Sequence, residues 1–267
     1  MLTRRILTRI ALLGLALLVQ ACTTVPETGR SQLVLGGPDA GVQEGFSAFE
    51  KIKGTTPISV DRQANAQLQA VGARIARVVT MPGARWEFVL FDDKTPNAFA
   101  LPGGKVGVNT GILPITKNDA GLATVVAHEI AHVTARHGAE RASQGAVAQV
   151  GGAILSVGLA AAGYSGVAAD LANSAYGAVS QLGVLLPYSR IQELEADRIG
   201  MLYMARAGYN PQEAIAFWQR FRAYNSGKGG GSVEFLSTHP LDENRIAQLQ
   251  NYLPQALAEY QKAGGRG

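Results

Sequence analysis

The sequence predicts an α+β fold that is mainly helical, with a small antiparallel sheet. Three observations predict it. Ala64, Leu68, Val71, Ile75 and Val78 recur at spacings of four and three, the period of a helix with one face on a core. Trp86, Phe88 and Leu90 alternate with Arg85, Glu87 and Val89, the period of a strand. From Asp119 onward helical segments dominate. With 267 residues, 47% of them apolar, 16% charged and a single cysteine, the chain is globular, which excludes disordered, collagenous and disulfide-stapled classes and bounds it at one or two domains.

Residues 1–21 read as a signal peptide. Arg4, Arg5 and Arg9 precede an apolar run over 10–19 that is short for a stable membrane anchor. The run ends in Val19-Gln20-Ala21-Cys22, which resembles a bacterial lipobox with Cys22 as the lipidated N-terminus; the other reading is an ordinary small residue beside a signal-peptidase site. A lone cysteine in an exported chain has no intramolecular partner. Thr23, rather than Asp, follows it, which resembles sorting to the outer membrane. The expectation is an exported protein held by lipid through Cys22 at the periplasmic face of that membrane. Losing 1–21 leaves 21 basic residues against 20 acids, so the net charge falls from +4 to +1 and a nucleic-acid partner is excluded.

Residues 22–45, rich in Gly, Pro, Thr and Ser, read as the lipidated N-terminus and a tether, and 46–260 as one folded domain. Within it, Asp61 caps the first helix, which stops before Met81-Pro82-Gly83. Residues 85–91, 97–101 and 105–109 are short strands, the last two joined by Pro102-Gly103-Gly104. A helix runs from Asp119 through His137, with Gly138 as terminator and His137 as a cation near the helix C-terminus. Further helices start near Pro187, at Asn210-Pro211 and at Asp242, with a flexible loop over 228–231. Residues 142–186 contain one charge, Asp170, and many glycines. Two readings stand for this insert: helices that cover a groove or rest on lipid, and a transmembrane hairpin.

His128-Glu129-Ile130-Ala131-His132 has the pattern HExxH. Residues four apart on a helix face the same way, so both imidazoles can bind one Zn²⁺ while Glu129 points toward a water held by the metal. Such a site needs a third protein ligand. Glu193 and Asp197, four apart on a later helix, provide it: Glu193 can bind the metal and Asp197 can fix the tautomer and orientation of a ligand histidine.

On these motifs the chain resembles the zinc metallopeptidases of the CAAX prenyl protease and HtpX type, gluzincins with HExxH and ExxxD helices. The resemblance covers roughly 28–252 and includes Thr28-Gly29-Arg30-Ser31-Gln32-Leu33, Asn97-Ala98-Phe99-Ala100-Leu101-Pro102-Gly103-Gly104, Ser189-Arg190, and Ser237-Thr238-His239-Pro240 with Arg245. The opening motif and lipobox look like the periplasmic lipoprotein branch of that group. The resemblance implies a zincin-like metallopeptidase domain, one Zn²⁺ per chain on His128, His132 and Glu193, and Glu129 as general base. It also implies a strand edge, with Asn97, Ala98 and Phe99, where an extended substrate adds by main-chain hydrogen bonds. His239 then approaches the zinc site in one of two roles, stabilising the oxyanion or blocking the open coordination position.

The expected function is a zinc-dependent endopeptidase that cleaves unfolded or misassembled envelope proteins. The alternative is a chaperone or assembly factor for outer-membrane proteins, with latent or secondary proteolysis.

Overall fold

A computed structural model of the chain describes residues 22–37, 39–181, 185–227, 235, 238–240 and 243–265. The segment 1–21 expected to be a signal peptide, the expected loop over 228–231, Ser237 and Asp242 lie outside the described residues. In chain order the elements are β1 (Cys22–Thr24), β2 (Ser31–Leu33), α1 (Val42–Thr55), α2 (Arg62–Ala76), β3 (Glu87–Phe91), β4 (Ala98–Leu101), β5 (Lys105–Asn109), α3 (Leu113–Thr116), α4 (Asp119–Thr134), α5 (His137–Ala161), α6 (Val167–Ser180), α7 (Leu186–Arg206), α8 (Gln212–Gly227) and α9 (Glu243–Lys262). They group into two compact units. One holds the described residues up to Ala40 with Arg136–Ser189, the other Gly41–Ala135 with Arg190–Gly267.

The second unit is built on β3, β4 and β5. The Asp61 carboxylate accepts hydrogen bonds from the backbone N–H groups of Gln63 and Ala64 at 2.9 and 3.0 Å, which starts α2. Ala64, Leu68, Val71 and Ile75 are buried along one face of that helix, while Val78 lies past its end. Gly72 faces β3 so closely that an added Cβ would come within 2.5 Å of the Phe88 ring. On the opposite face of the sheet Phe49 of α1 clusters with Val89 and Phe91, joined by Ile52, Phe99 and Leu101. Residues 88–91 are therefore all buried, because helices cover both faces of β3.

The sheet order is β3-β5-β4, with β5 parallel to β3 and antiparallel to β4. It is thus mixed, where the sequence predicted antiparallel pairing throughout. Gly103 and Gly104, at φ 88° and 86°, turn β5 back along β4. β5 takes the central place, with Val106 and Val108 fully buried, and runs alongside β3 in the same direction.

The next helix, α4, is capped by Asn118, whose side chain accepts from the Gly121 N–H at 2.8 Å, and its residues from Gly121 to His132 are buried. It stops at Arg136, which takes a left-handed φ of 57°, and not at Gly138, which lies inside α5. His137 consequently opens α5 and is fully buried, so its expected place as a cation at the end of α4 is corrected.

In the first unit β1 and β2 pair antiparallel with Cys22 opposite Leu33. The expected tether 22–45 is in part folded: this ribbon groups with the insert, and α1 begins at Val42. Arg30 forks onto the fully buried Glu140 at 2.8 and 2.7 Å. Tyr176 of α6 donates its hydroxyl to the Ala148 carbonyl at 3.1 Å, and the ring passes over Gly151 and Gly152 of α5. A Cβ at Gly151 would strike that hydroxyl, so here glycine serves close helix packing. The outer faces are apolar: Val150, Ile154, Val157, Leu171 and Val179 are all exposed. The 25-residue α5 is long and apolar enough to cross a membrane.

Candidate metal centre

The i and i+4 positions of α4 bring His128 and His132 onto one face, with their Nε2 atoms 3.1 Å apart. Glu193 comes from α7. Its Oε2 lies 3.4 Å from His128 Nε2 and its Oε1 3.4 Å from His132 Nε2. Gly200 permits this approach, since a Cβ there would lie 2.9 Å from the backbone nitrogen of His128 and 3.0 Å from its Cα. A side chain at 200 would lever the carboxylate helix away from the imidazole helix.

His239 joins them. Its Nδ1 is 3.3 Å from His128 Nε2 and 3.1 Å from Glu193 Oε2, and its Nε2 is 3.4 Å from Glu129 Oε1. One ligating atom from each of His128, His132, Glu193 and His239 falls within 4.8 Å of the other three, and all four residues are buried. Behind them, Asp197 Oδ1 stands 3.1 Å from His128 Nδ1, off the line of a formed hydrogen bond. Arg245 of α9 forks onto Asp197 through Nε and Nη2, both at 2.8 Å. Its Nη1 reaches Glu193 Oε2 at 3.3 Å and donates to the Pro240 carbonyl at 3.0 Å. The guanidinium lies 4.1 Å above the Trp218 ring, and that indole meets His128 edge-on.

The electrostatics favour a cation at the ligand atoms. Burial pulls the His128 imidazole down, but Asp197 and Glu193 outweigh it and push it up to about 9. Burial also acts on Glu193, yet the imidazoles of His132, His128 and His239 hold its carboxyl well below the usual range. Asp197 behaves likewise, with Arg245 the main counterweight to burial. Glu129 is different. Burial raises it above an ordinary glutamate, opposed only in part by the nearby histidines, and its Oε1 has no hydrogen-bond partner among the described residues. Two imidazole nitrogens and a carboxylate suit Zn²⁺, and the orphaned Glu129 oxygen beside them fits a site completed by a metal and water.

The structure thus brings together His128, Glu129, His132, Glu193, Asp197 and His239. Cys22 belongs to the other unit. Ala98 and Phe99 lie on β4, which packs against α4 as an outer strand of the sheet, and Asn97 directly precedes it. The half-buried Phe99 ring turns toward Phe49 and Phe91, with centroids 6.2 and 6.1 Å away. The sequence reading assigned Arg245 no role. A lone arginine on an amphipathic helix has the pattern of a solvated residue, and only the motif resemblance marked it.

The model of peptidase family M48 matches residues 62–253. The mitochondrial metalloendopeptidase OMA1 of Schizosaccharomyces pombe is 42% identical over 183 residues, 68% of this chain and 51% of that protein. OMA1 of Arabidopsis thaliana is 33% identical over 235 residues, 86% of this chain and 44% of the relative. The beta-barrel assembly-enhancing protease of Escherichia coli (strain K12) is 29% identical over 237 residues, 85% of this chain and 47% of the relative. The chain spans about half the length of these relatives. They carry the resemblance at the level of the family rather than of its CAAX prenyl protease and HtpX branch. With its HExxH helix, a converging Glu193 and a match that takes in the whole centre, the chain belongs to peptidase family M48, whose members are zinc metallopeptidases.

Proposed function

We propose that the protein is a zinc-dependent endopeptidase that hydrolyses unfolded or misassembled envelope proteins in the periplasm, held at the outer membrane by lipid on Cys22. The observation that carries the chemistry is the convergence of His128, His132 and Glu193 with Glu129 beside them. Bound Zn²⁺ lowers the pKa of its water to roughly 7 and polarises the scissile carbonyl. Glu129, raised by burial, takes the proton of the attacking water and passes it to the leaving amine. Asp197 and Arg245 keep His128 oriented.

Substrate breadth follows from β4. The Asn109 N–H donates to the Asn97 carbonyl, so Asn97, Phe99 and Leu101 direct their peptide groups to β5 while Ala98 and Ala100 direct theirs away from it. Extended chains of many sequences can add to such an edge through main-chain hydrogen bonds. The Ala98 N–H is held by the Asn97 side-chain oxygen at 2.9 Å, so Asn97 yields that donor when a substrate docks. The lipobox and the beta-barrel assembly-enhancing relatives support the envelope setting. The exposed apolar faces of α5 and α6 support lipid contact for 142–186. Metal analysis beside cleavage of an unfolded protein tests the reading: about one zinc per chain and cleavage abolished by a chelator are expected, and zinc with no cleavage would refute it.

A second reading, latency, is favoured by His239. Its Nδ1 stands among the ligand atoms, where a hydrolytic centre needs an open position. Of the two roles open to His239, this placement supports blocking. His239→Ala then raises turnover with zinc content unchanged; a fall in turnover would restore the oxyanion role.

A further inference from the structure

The first unit contains a cavity of about 420 Å³ that the metal centre does not explain. Gln32, Leu33, Gln144, Ala148, Tyr176 and Leu185 line it, and Cys22 stands at its wall. Its size falls in the roughly 300–1,000 Å³ range of small-molecule sites, and its lining is mainly apolar. Gln32 is 4% exposed, and among the described residues neither its side-chain carbonyl oxygen nor the buried side-chain oxygen of Gln144 has a hydrogen-bond partner. A buried acceptor left unmatched is destabilising, so each calls for a donor that the described residues do not supply. The charge at this wall is already balanced, because Arg30 forks onto Glu140. An ionic ligand is therefore disfavoured. The walls suit a neutral, elongated hydrocarbon, and the two oxygens suit an N–H or O–H at its polar end.

We propose that this cavity is a lipid site that takes one acyl chain whose junction keeps a donor, an amide N–H or a free glycerol hydroxyl, with Gln32 and Gln144 accepting from it. Two sources carry that chemistry: an N-linked acyl group on Cys22 itself, and a lipid of the bilayer that keeps a free hydroxyl or an amide N–H beside its acyl chain. Cys22 sits opposite Leu33 on the ribbon that forms the wall and is itself exposed, so a chain attached there starts beside the cavity. The proposal rests on the lipid-anchor reading for the source of the chain, not for the cavity.

The test uses the full chain in membranes and a photoreactive probe, the ethanolamide of a diazirine-bearing palmitic acid, which is neutral and carries both donors. In the Cys22→Ser chain the label is expected on Leu33, Ala148 or Tyr176, saturable, and cut by about tenfold in Ala148→Trp, as expected when the pocket loses room for two methylenes. Gln32→Met, which keeps the bulk and removes the acceptor, lowers labelling at the same residues with an unchanged circular dichroism spectrum. Label confined to the outward Ile154, Val157 and Leu171, or unaffected by both variants, overturns the proposal. The wild-type chain distinguishes the sources. If its intact mass shows acylation and the cavity label falls, Cys22 supplies the occupant; if it is acylated and the label persists, the bilayer does. An unmodified mass refutes the anchor reading, while the Cys22→Ser result still decides the cavity.

Discussion

Glu129→Gln is expected to keep its zinc and lose about 10²–10⁴-fold in the rate of cleavage of an unfolded protein, the range of a general base. The substitution changes one oxygen to an amide and leaves the ligand atoms of His128, His132 and Glu193 where they are. Glutamine cannot take a proton from water, so the loss falls on turnover and not on substrate affinity. The surroundings of Glu129 make the contrast sharp: its carboxylate is buried, raised by that burial, and has an oxygen to which no group among the described residues donates. Metal analysis and cleavage rates on the same preparation check it. Zinc retained with the rate unchanged would remove Glu129 from the reaction. The same variant tests the client-holding alternative, since a protein that mainly holds extended chains would keep its cellular activity.

The centre was legible where one helix carries both partners. His128 with His132, and Glu193 with Asp197, sit four apart, and that spacing alone puts each pair on one face. What joins the two helices was not legible. Gly200 reads as an ordinary glycine in a helix until its approach to the His128 backbone is seen. His239 and Arg245 enter from elements far along the chain, and no local period announces a residue whose partners are tertiary. The sheet shows the same limit. Each strand could be read from its own residues, but the parallel pairing of β3 with β5 is tertiary, and local burial does not announce it, since Leu90 and Phe91 of β3 are buried as fully as Val106 and Val108 of β5. The end of α4 was misplaced because glycine is the usual left-handed residue there, whereas this chain uses Arg136.

The largest effect on stability is expected from Arg245→Met. Arg245 is 1% exposed and is the cation that faces Asp197 at 2.8 Å and Glu193 at 3.3 Å. Removing one member of a buried ionic group leaves the others uncompensated, a loss of about 3–5 kcal/mol, or roughly 10 °C in Tm for a chain of this size. Methionine keeps the bulk beneath Trp218, so the loss reports charge and hydrogen bonds more than packing. The effect depends on the metal. With zinc bound, Glu193 has a divalent counter-charge and the main uncovered anion is Asp197; after chelation the imidazole of His128, pushed up to about 9, is a weaker counter-charge shared by both carboxylates. The drop in Tm is therefore larger in the chelator-treated protein than in the zinc-loaded one. Arg245→Lys restores the charge but not the fork onto Asp197, and falls between the two. Equal drops with and without zinc would show that Arg245 supports the fold alone and not the charge balance of the metal ligands.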